Sequence, residues 1–386
     1  MTQIYLDITR LLKGALLRKR PTGVDRVGLA YVQHYGERAV AAVCIGGFCA
    51  ALSPRASARL FSAVQTYHPA GRLSLTLTVL RGLLFGSRRL TRGGMLLHTS
   101  HSGAESGRYF RSLRAQGVHV ACMIHDLIPL SHPEFCRPGT AQQHDRRMRI
   151  ALASASAIIA NSQATLDAVN AYARREGLSL PRTVVAQLAP GTTQVQSPAP
   201  LVAGPYFVMV GTIEPRKNHW FILQLWRRLV AQFGAAAPRL VLVGRQGWKY
   251  ENVISMLDEC AELQHAVVFE PDCPDARLAA WLTHARALVF PSFAEGFGMP
   301  VAEALAAGVP VIASDLPVFR EYAGDVPDYV DPLDGPAWLA KLITYANGNT
   351  GDRALQLARL QSYQPPGWLE HFARVDALLE ELGAAP

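Results

Sequence analysis

Glu295 and Glu303, eight residues apart in PSFAEGFGMPVAEAL (291–305), are the carboxylates whose setting most invites chemistry. The apolar run ALVFP ends just before them, a loop then holds Glu295 among small residues, and a helix is expected from about Gly298 to Pro300. Pro300 suits a first helical turn, where its missing N–H would have had no intrahelical partner. Gly296 and Gly298 let a ligand approach the backbone closely, and free N–H groups at a helix start suit phosphate or hydroxyl oxygens. Were all eight residues helical, the two carboxylates would lie up to ~12 Å apart along the axis. That counts against a glycosidase pair, whose carboxyls sit ~5–9.5 Å apart across one bond. It suits two carboxylates that hold different parts of one long ligand. The plainer alternative is a capping acid at Glu295 and a solvated helix glutamate at Glu303.

Arg216 and Lys217 stand in GTIEPRKNHW (211–220), after the apolar run YFVMV. Gly211 ends the run, Pro215 turns the chain, and a helix begins near Asn218. Two cations at a helix start oppose the macrodipole, which prefers acids there. Such cations serve something other than the helix, and a pyrophosphate is their natural partner; an exposed basic pair is the alternative. His125 and Asp126 follow VHVACMI (118–124). A histidine there can hydrogen-bond a hydroxyl or phosphate while Asp126 fixes its tautomer. A cap aspartate beside a partly buried histidine accounts for the pair otherwise. Pro21-Thr22-Gly23 leads into a helix: Gly23 could turn amides toward a ligand, and Asp25 and Arg26 could contact it or form a salt-bridged helix start. Lys13, Arg18, Lys19 and Arg20, with Arg81, Arg88, Arg89 and Arg92, could form a membrane-facing basic surface or a solvated loop.

These residues need elements to place them. Apolar runs at 4–8, 39–46, 95–99, 118–124, 157–161 and near 184 alternate with stretches of helical period. A second series runs at 206–211, 239–244, 266–270, 287–291 and 309–314. Near-continuous apolar strands alternating with helices mark parallel sheets covered on both faces. Two series predict two doubly wound α/β domains, 1–188 and 206–364, joined by a Pro/Gly/Thr-rich linker over 189–205. The final stretch, 365–386, has helical period and either finishes the second domain or crosses back to the first. Ligands of open parallel sheets bind beyond the strands' carboxyl ends. That rule selects Thr99 to His101, His125–Asp126, Asn161–Ser162, the segment after Gly211, Gly244–Arg245 and the segment after Pro291.

The bulk composition agrees with a globular chain: 386 residues, 49% apolar, 18% charged. The formal charge is +8 with only five lysines, so the excess is arginine, suited to bidentate phosphate or carboxylate contact. Alone it fits an anionic ligand, an anionic membrane or nucleic acid. Cys44, Cys49, Cys122, Cys136, Cys260 and Cys273 show no zinc spacing and are expected to be reduced. The start lacks the pattern of a signal peptide, and the apolar stretch 73–86, broken by Arg81, is short of the ~18–20 residues of a spanning helix. A cytoplasmic chain, not integral to a membrane, is expected.

EGFGMPVAE resembles the E-x(7)-E signature of retaining glycosyltransferases of GT-B architecture, most closely family 4. GTIEPRKN, VGRQGW (243–248), GVPVIASDLPVFREYAGD (308–325) and HDLIP agree with it in type and order. The resemblance is dense over 206–325 and thin before 118. It implies two Rossmann-like domains facing each other across a crevice, the first for the acceptor and the second for a nucleotide-sugar donor. By this resemblance Glu303 holds the ribose hydroxyls, while Glu295 and the backbone of Phe297, Gly298 and Met299 hold the donor sugar and its phosphate. Arg216 and Lys217 neutralise the diphosphate, and His125 reaches the donor sugar. Gly211, Thr212 and Gly244 line the donor side; Gly23, Asp25, Arg26 and Asp126 fall on the acceptor side. Many members carry arginine where this chain has Thr212, a role that Arg216 takes in the GTxEPRKN subgroup.

Leaving-group charge on a nucleotide diphosphate needs cations, helix amides or a divalent metal. The chain has a cation pair and no D-x-D, so metal-free retaining transfer is expected, with no metal site and no cofactor beyond the donor. The subgroup suggests GDP-mannose rather than a UDP-sugar, and a glycan or lipid-linked glycan acceptor in bacterial surface polysaccharide synthesis. An epimerase of the same architecture is one rival. A nucleic-acid-binding protein is another, though its cations should form one stripe interleaved with aromatics rather than scatter.

Overall fold

The computed structural model describes residues 2–17, 19–66, 72–85, 88–191, 199–348 and 351–384. Arg18, residues 192–198 of the expected linker and Gly86 of the 73–86 stretch lie outside the described residues. The chain forms two compact units: Met1–Leu130, Gly139–Leu188 and Trp368–Pro386 make the first, Ser131–Pro138 and Ala189–Gly367 the second.

In the first unit the described strands are β1 (Ile4–Asp7), β2 (Ala39–Ile45), β3 (Phe48–Ala51), β4 (Met95–His98), β5 (His119–Ile124), β6 (Ala157–Ala160) and β7 (Arg182–Val185). They lie in the order β3-β2-β1-β4-β5-β6-β7, all parallel except β3, which runs antiparallel to β2. Central strands such as β4 and β6 are buried at every residue, which is why they read as unbroken apolar runs. The strand order reverses between β1 and β4, so Asp7 and His98 end the two strands that flank the switch point.

The β2–β3 hairpin corrects the reading of the cysteines. Gly46 and Gly47 have φ of 59° and 89°, the left-handed pair that a two-residue type I′ turn requires. The resulting register sets Cys44 opposite Cys49, and the two form a disulfide; Cys122, Cys136, Cys260 and Cys273 are free.

The helix Trp368–Ala384 belongs to the first unit and buries Phe372, Val375, Leu379 and Leu382 along one stripe. Asp376 accepts hydrogen bonds from Tyr35 Oη at 2.9 Å and Arg38 Nη2 at 3.0 Å. His371 Nδ1 donates to the carbonyls of Ala186 and Gln187 at 3.1 and 3.0 Å, and Nε2 accepts from Tyr31 Oη at 2.9 Å. With Nε2 as acceptor the imidazole is neutral. Burial outweighs the two carbonyls and pushes its pKa down to about 4. A depressed histidine contributes stability that is present above its ordinary pKa of 6.5 and is lost as pH falls from there through about 4. Chemical unfolding should therefore show stability falling across that window, with a flatter slope in His371→Gln. Equal slopes in the two proteins would count against this account of the helix's docking.

The second unit's described strands are β8 (Tyr206–Val210), β9 (Arg239–Val243), β10 (Val267–Glu270), β11 (Leu288–Phe290), β12 (Val311–Ser314) and β13 (Asp328–Val330). They are all parallel, in the order β10-β9-β8-β11-β12-β13, with the reversal between β8 and β11. Phe207, Trp226, Leu240, Val289 and Trp338 are among the buried side chains of its core. The segment Ser131–Pro138 interrupts the stretch expected to be one domain, 1–188, and joins this unit. Phe135 stacks on Phe293 with ring centroids 5.2 Å apart, and Arg137 Nη2 donates to the Gly247 carbonyl at 3.1 Å while lying over Trp248.

Candidate active site

The switch point of the second sheet gathers the carboxyl ends of β8 and β11. After β8, Gly211 N donates to Val243 O at 2.9 Å and Ile213 N to Arg245 O at 2.9 Å, so the chain past β8 stays tied to the chain past β9. Thr212 sits in this tie: a Cβ on Gly247 would lie 2.4 Å from its methyl. Pro215–Lys217 form a single 3-10 turn, and Asn218, at φ 62°, caps the helix His219–Phe233. The two cations thus stand just before that helix, not in its first turn. Phe293 N donates to Arg216 O at 2.9 Å, which fastens the cation turn to the loop after β11.

That fastening brings Glu295 onto the cations. Lys217 Nζ lies 2.5 Å and Arg216 Nη1 2.9 Å from Glu295 Oε1. Arg216 also reaches Glu214 at 2.7 Å and the Ala294 carbonyl at 2.5 Å. The Glu295 side chain is 7% exposed. Burial by itself would raise its pKa, but the charges of Arg216 and Lys217, with the hydrogen bond from Lys217, hold it down at about 2. Burial lowers the pKa of Lys217, and Glu295 offsets part of that; its ammonium lies 4.5 Å from the centre of the Phe290 ring. Two carboxylates and two cations so placed balance in charge, with Glu295 fixed as an ionised acceptor.

Gly298, at φ 80°, is the N-cap of the helix Met299–Ala306, and Pro300 sits in its first turn. A Cβ on Gly298 would lie 2.3 Å from Phe319, so the glycine is demanded by space as well as by φ. Phe297 stacks on Tyr322 at 4.7 Å, whose hydroxyl donates to Gly298 O at 3.3 Å. Together these hold the loop and the first-turn amides, including that of Met299, in place. Glu303 is 5% exposed, and Gly298 caps the helix without a side-chain bond. The plainer alternative, a capping acid and a solvated glutamate, is therefore not what the structure holds.

In the first unit His125 is buried at the end of β5, and Nε2–H donates to Thr99 O at 2.9 Å. Burial lowers its pKa, so the ring is neutral with Nδ1 as its acceptor. Asp126 accepts from Ile128 N at 3.0 Å and caps the short helix Ile128–Ser131, while its carbonyl takes a bond from His144 Nε2 at 3.1 Å. Asp25 stands at a salt-bridged helix start, one of the two readings that the sequence left open for it. Thr22 and Asp25 form a capping box on the helix Gly23–Tyr35, and Arg10 Nε bonds Asp25 at 2.7 Å. Its carboxylate is committed to the helix start; the salt bridge runs to Arg10, and Arg26 N bonds Thr22 O at 2.9 Å within the same turn.

Asp7, His98 and Tyr109 were missed by sequence reasoning. Asp7 Oδ2 lies 3.0 Å from His98 Nδ1, and Tyr109 Oη lies 3.0 Å from that same nitrogen. Burial would raise the pKa of Asp7, but His98 and Thr9 together lower it. The signal was present: the strand-end rule applied to IYLDI finds Asp7 once the strand stops one residue earlier, and His98 stands one place before the selected Thr99.

Among the described residues no helix is long and apolar enough to cross a membrane. Solved structures share the fold. HepE of Anabaena in complex with UDP aligns over 99% of this chain and 100% of its own at TM-score 0.68 and 16% identity. Sucrose-phosphate synthase of Thermosynechococcus elongatus aligns over 83% and 82% at TM-score 0.57 and 20% identity. Both units thus adopt the doubly wound α/β folds of the GT-B architecture. In sequence, the chain is 29% identical over 266 residues to the serotype-specific mannosyltransferase WbdA of Escherichia coli, 64% of this chain and 32% of that one. It is 36% identical over 138 residues to O-antigen chain mannosyltransferase B of Escherichia coli, 36% of each chain. The chain spans about a third of the length of these curated relatives. Residues 194–327, which carry Arg216, Lys217, Glu295 and Glu303, match the family model for Glycosyl transferases group 1, and with these relatives the match supports a glycosyltransferase.

Proposed function

We propose that this chain is a retaining, metal-independent glycosyltransferase that moves mannose from GDP-mannose to a glycan or lipid-linked glycan during surface polysaccharide synthesis. The buried Glu295–Lys217–Arg216 cluster, set beside the first turn of the helix Met299–Ala306, carries the reading. Transfer breaks the bond between the anomeric carbon and the diphosphate, and negative charge grows on the leaving oxygen. Two cations already fixed in a dry site can stabilise that charge without reorganising at the moment of reaction. Amides of the helix start add to them. Glu295, held ionised, accepts from sugar hydroxyls, and Glu303 accepts from the ribose diol. The acceptor hydroxyl gives its proton to the leaving phosphate on the same face, so no protein nucleophile is required. His125, a neutral ring with Nδ1 as its acceptor, is given a donor-sugar hydroxyl by the family resemblance alone. Exposed Lys19, Arg20, Arg81, Arg88, Arg89 and Arg92 of the first unit suit peripheral contact with an anionic cytoplasmic leaflet. The O-antigen relatives support mannose, and the GTxEPRKN resemblance supports GDP.

A panel of GDP- and UDP-sugars, scored by thermal stabilisation and slow hydrolysis, tests the reading. GDP-mannose should give the largest response. Glu303→Ala should weaken GDP-mannose binding by roughly 10- to 100-fold, the worth of charge-assisted hydrogen bonds. Preference for a UDP-sugar would overturn the donor assignment, and indifference to every nucleotide sugar would overturn the function.

A further inference from the structure

The helix His219–Phe233 buries Ile222, Leu223, Trp226 and Leu229 in the core of the second unit. Beside that face runs another row, Trp220, Gln224 and Arg227, at spacing i, i+4, i+7, which places the three side chains in line. The helix Glu251–Glu259 offers a facing row, Asn252, Ser255, Met256 and Glu259. The two rows, with Cys260–Glu262, enclose a solvent-open cavity of about 630 Å³. That volume is within the ~300–1,000 Å³ of small-molecule sites. None of its lining residues belongs to the cluster around Glu295.

The lining states what would fit. Trp220 leaves 46% of its surface exposed and lines the cavity, so its indole is available there as an apolar surface. Gln224 Nε2 contacts Met256 Sδ at 3.6 Å, so an amide and a thioether lie together across the cavity. Around them stand the Asn252 amide, the Ser255 hydroxyl, the guanidinium of Arg227 and the carboxylates of Glu259 and Glu262. One cation against two carboxylates leaves a net negative lining, which disfavours phosphates and nucleotides. A neutral ring with a C–H face for the indole and hydroxyls for the amides and carboxylates matches these groups. That is the chemistry of a hexopyranose.

We propose that the Trp220 cavity is an accessory glycan site, which holds a neutral hexopyranose segment of the growing polymer apart from the donor cluster. The choice of mannan rests on the mannosyl transfer proposed above; the cavity does not. Such a site raises the effective concentration of a long acceptor and leaves a short one unaffected.

The full chain, Trp220→Ala and Asn252→Ala are to be compared with mannohexaose as probe, by calorimetry and by ligand-observed NMR, with melting temperature recorded. Mannohexaose should bind the unaltered chain at millimolar concentration or below. Trp220→Ala should lose on the order of tenfold in affinity, the worth of an aromatic contact, and Asn252→Ala a smaller factor. Both variants should hydrolyse GDP-mannose as the unaltered chain does, while the advantage of mannohexaose over mannobiose as acceptor disappears. Transfer activity with mannohexaose binding that neither substitution changes overturns the cavity assignment alone. Trp220-dependent binding in a chain that transfers no sugar overturns the donor reading and leaves the cavity standing.

Discussion

Lys217→Met should lower turnover of the donor by about 10²- to 10³-fold, the usual cost of removing one preorganised group that stabilises developing charge. Methionine keeps the length of the stem, so the substitution removes the ammonium with little change in packing. The effect should fall on kcat more than on KM, because in the proposed transfer the charge that Lys217 meets grows as the sugar–phosphate bond breaks. A second consequence separates catalysis from structure. Without Lys217, the buried Glu295 keeps Arg216 alone as a close cation among the described residues, and an undercompensated buried carboxylate is destabilising. Adding Glu295→Gln should restore part of the lost stability and none of the lost turnover. Steady-state rates on GDP-mannose beside melting curves for the three proteins read this directly. A kcat within threefold of the unaltered enzyme would remove Lys217 from the mechanism.

Gly244→Ala should cost the second unit about 3 kcal/mol or more, adding overpacking to backbone strain at a φ above zero. A Cβ there would sit 1.9 Å from the carbonyl oxygen of Gly211, a backbone atom that no side-chain rotation can move. Relief requires the chain past β8 to part from the chain past β9, which displaces Thr212 and the cation turn with it. For a domain of 150–250 residues, each kcal/mol lowers the melting temperature by ~2–4 °C. A loss of several degrees with weakened nucleotide binding is expected. Gly308→Ala is the control: its φ is 75°, with nothing within 4 Å of the added carbon, so it carries backbone strain alone. Equal melting temperatures for the two variants would show that the Gly211–Gly244 contact is relieved cheaply.

The two sheets were legible because their central strands are buried on both faces and must be apolar throughout, as AIIA of β6 and LVF of β11 are. The edges were not. DYV of β13 is short and only partly buried, and FCAA of β3 is short, half-exposed and hidden behind a run that seemed to end at Gly46. Gly46–Gly47 was a hairpin signal at the end of that run, and heeding it would have set Cys44 opposite Cys49. At the site, residue types and strand ends located Arg216, Lys217 and Glu295 separately. Their union spans 78 residues of chain and depends on how β8 and β11 lie side by side, which periodicity does not encode. Asp25 takes the salt-bridged helix start that the sequence offered beside an acceptor contact, and Thr22-x-x-Asp25 before a helix is the capping signature that marks it. The docking of Trp368–Ala384 was unreadable for a simpler reason: an apolar stripe says that a helix is buried, not against what.

The division of the chain between the units sets an order of assembly during synthesis. Residues 131–138 leave the ribosome before the sheet they will join, whereas Trp368–Ala384 emerge only after all of the second unit has been made. The first sheet must therefore wait, with Tyr31 and Tyr35 uncovered, while its neighbour closes. Cutting the gene at the apparent boundary near 189 makes that waiting state permanent in one half and deprives the other of Phe135 and Arg137. The halves are interleaved in translation, and neither is a module that recombination could lift out at a single joint.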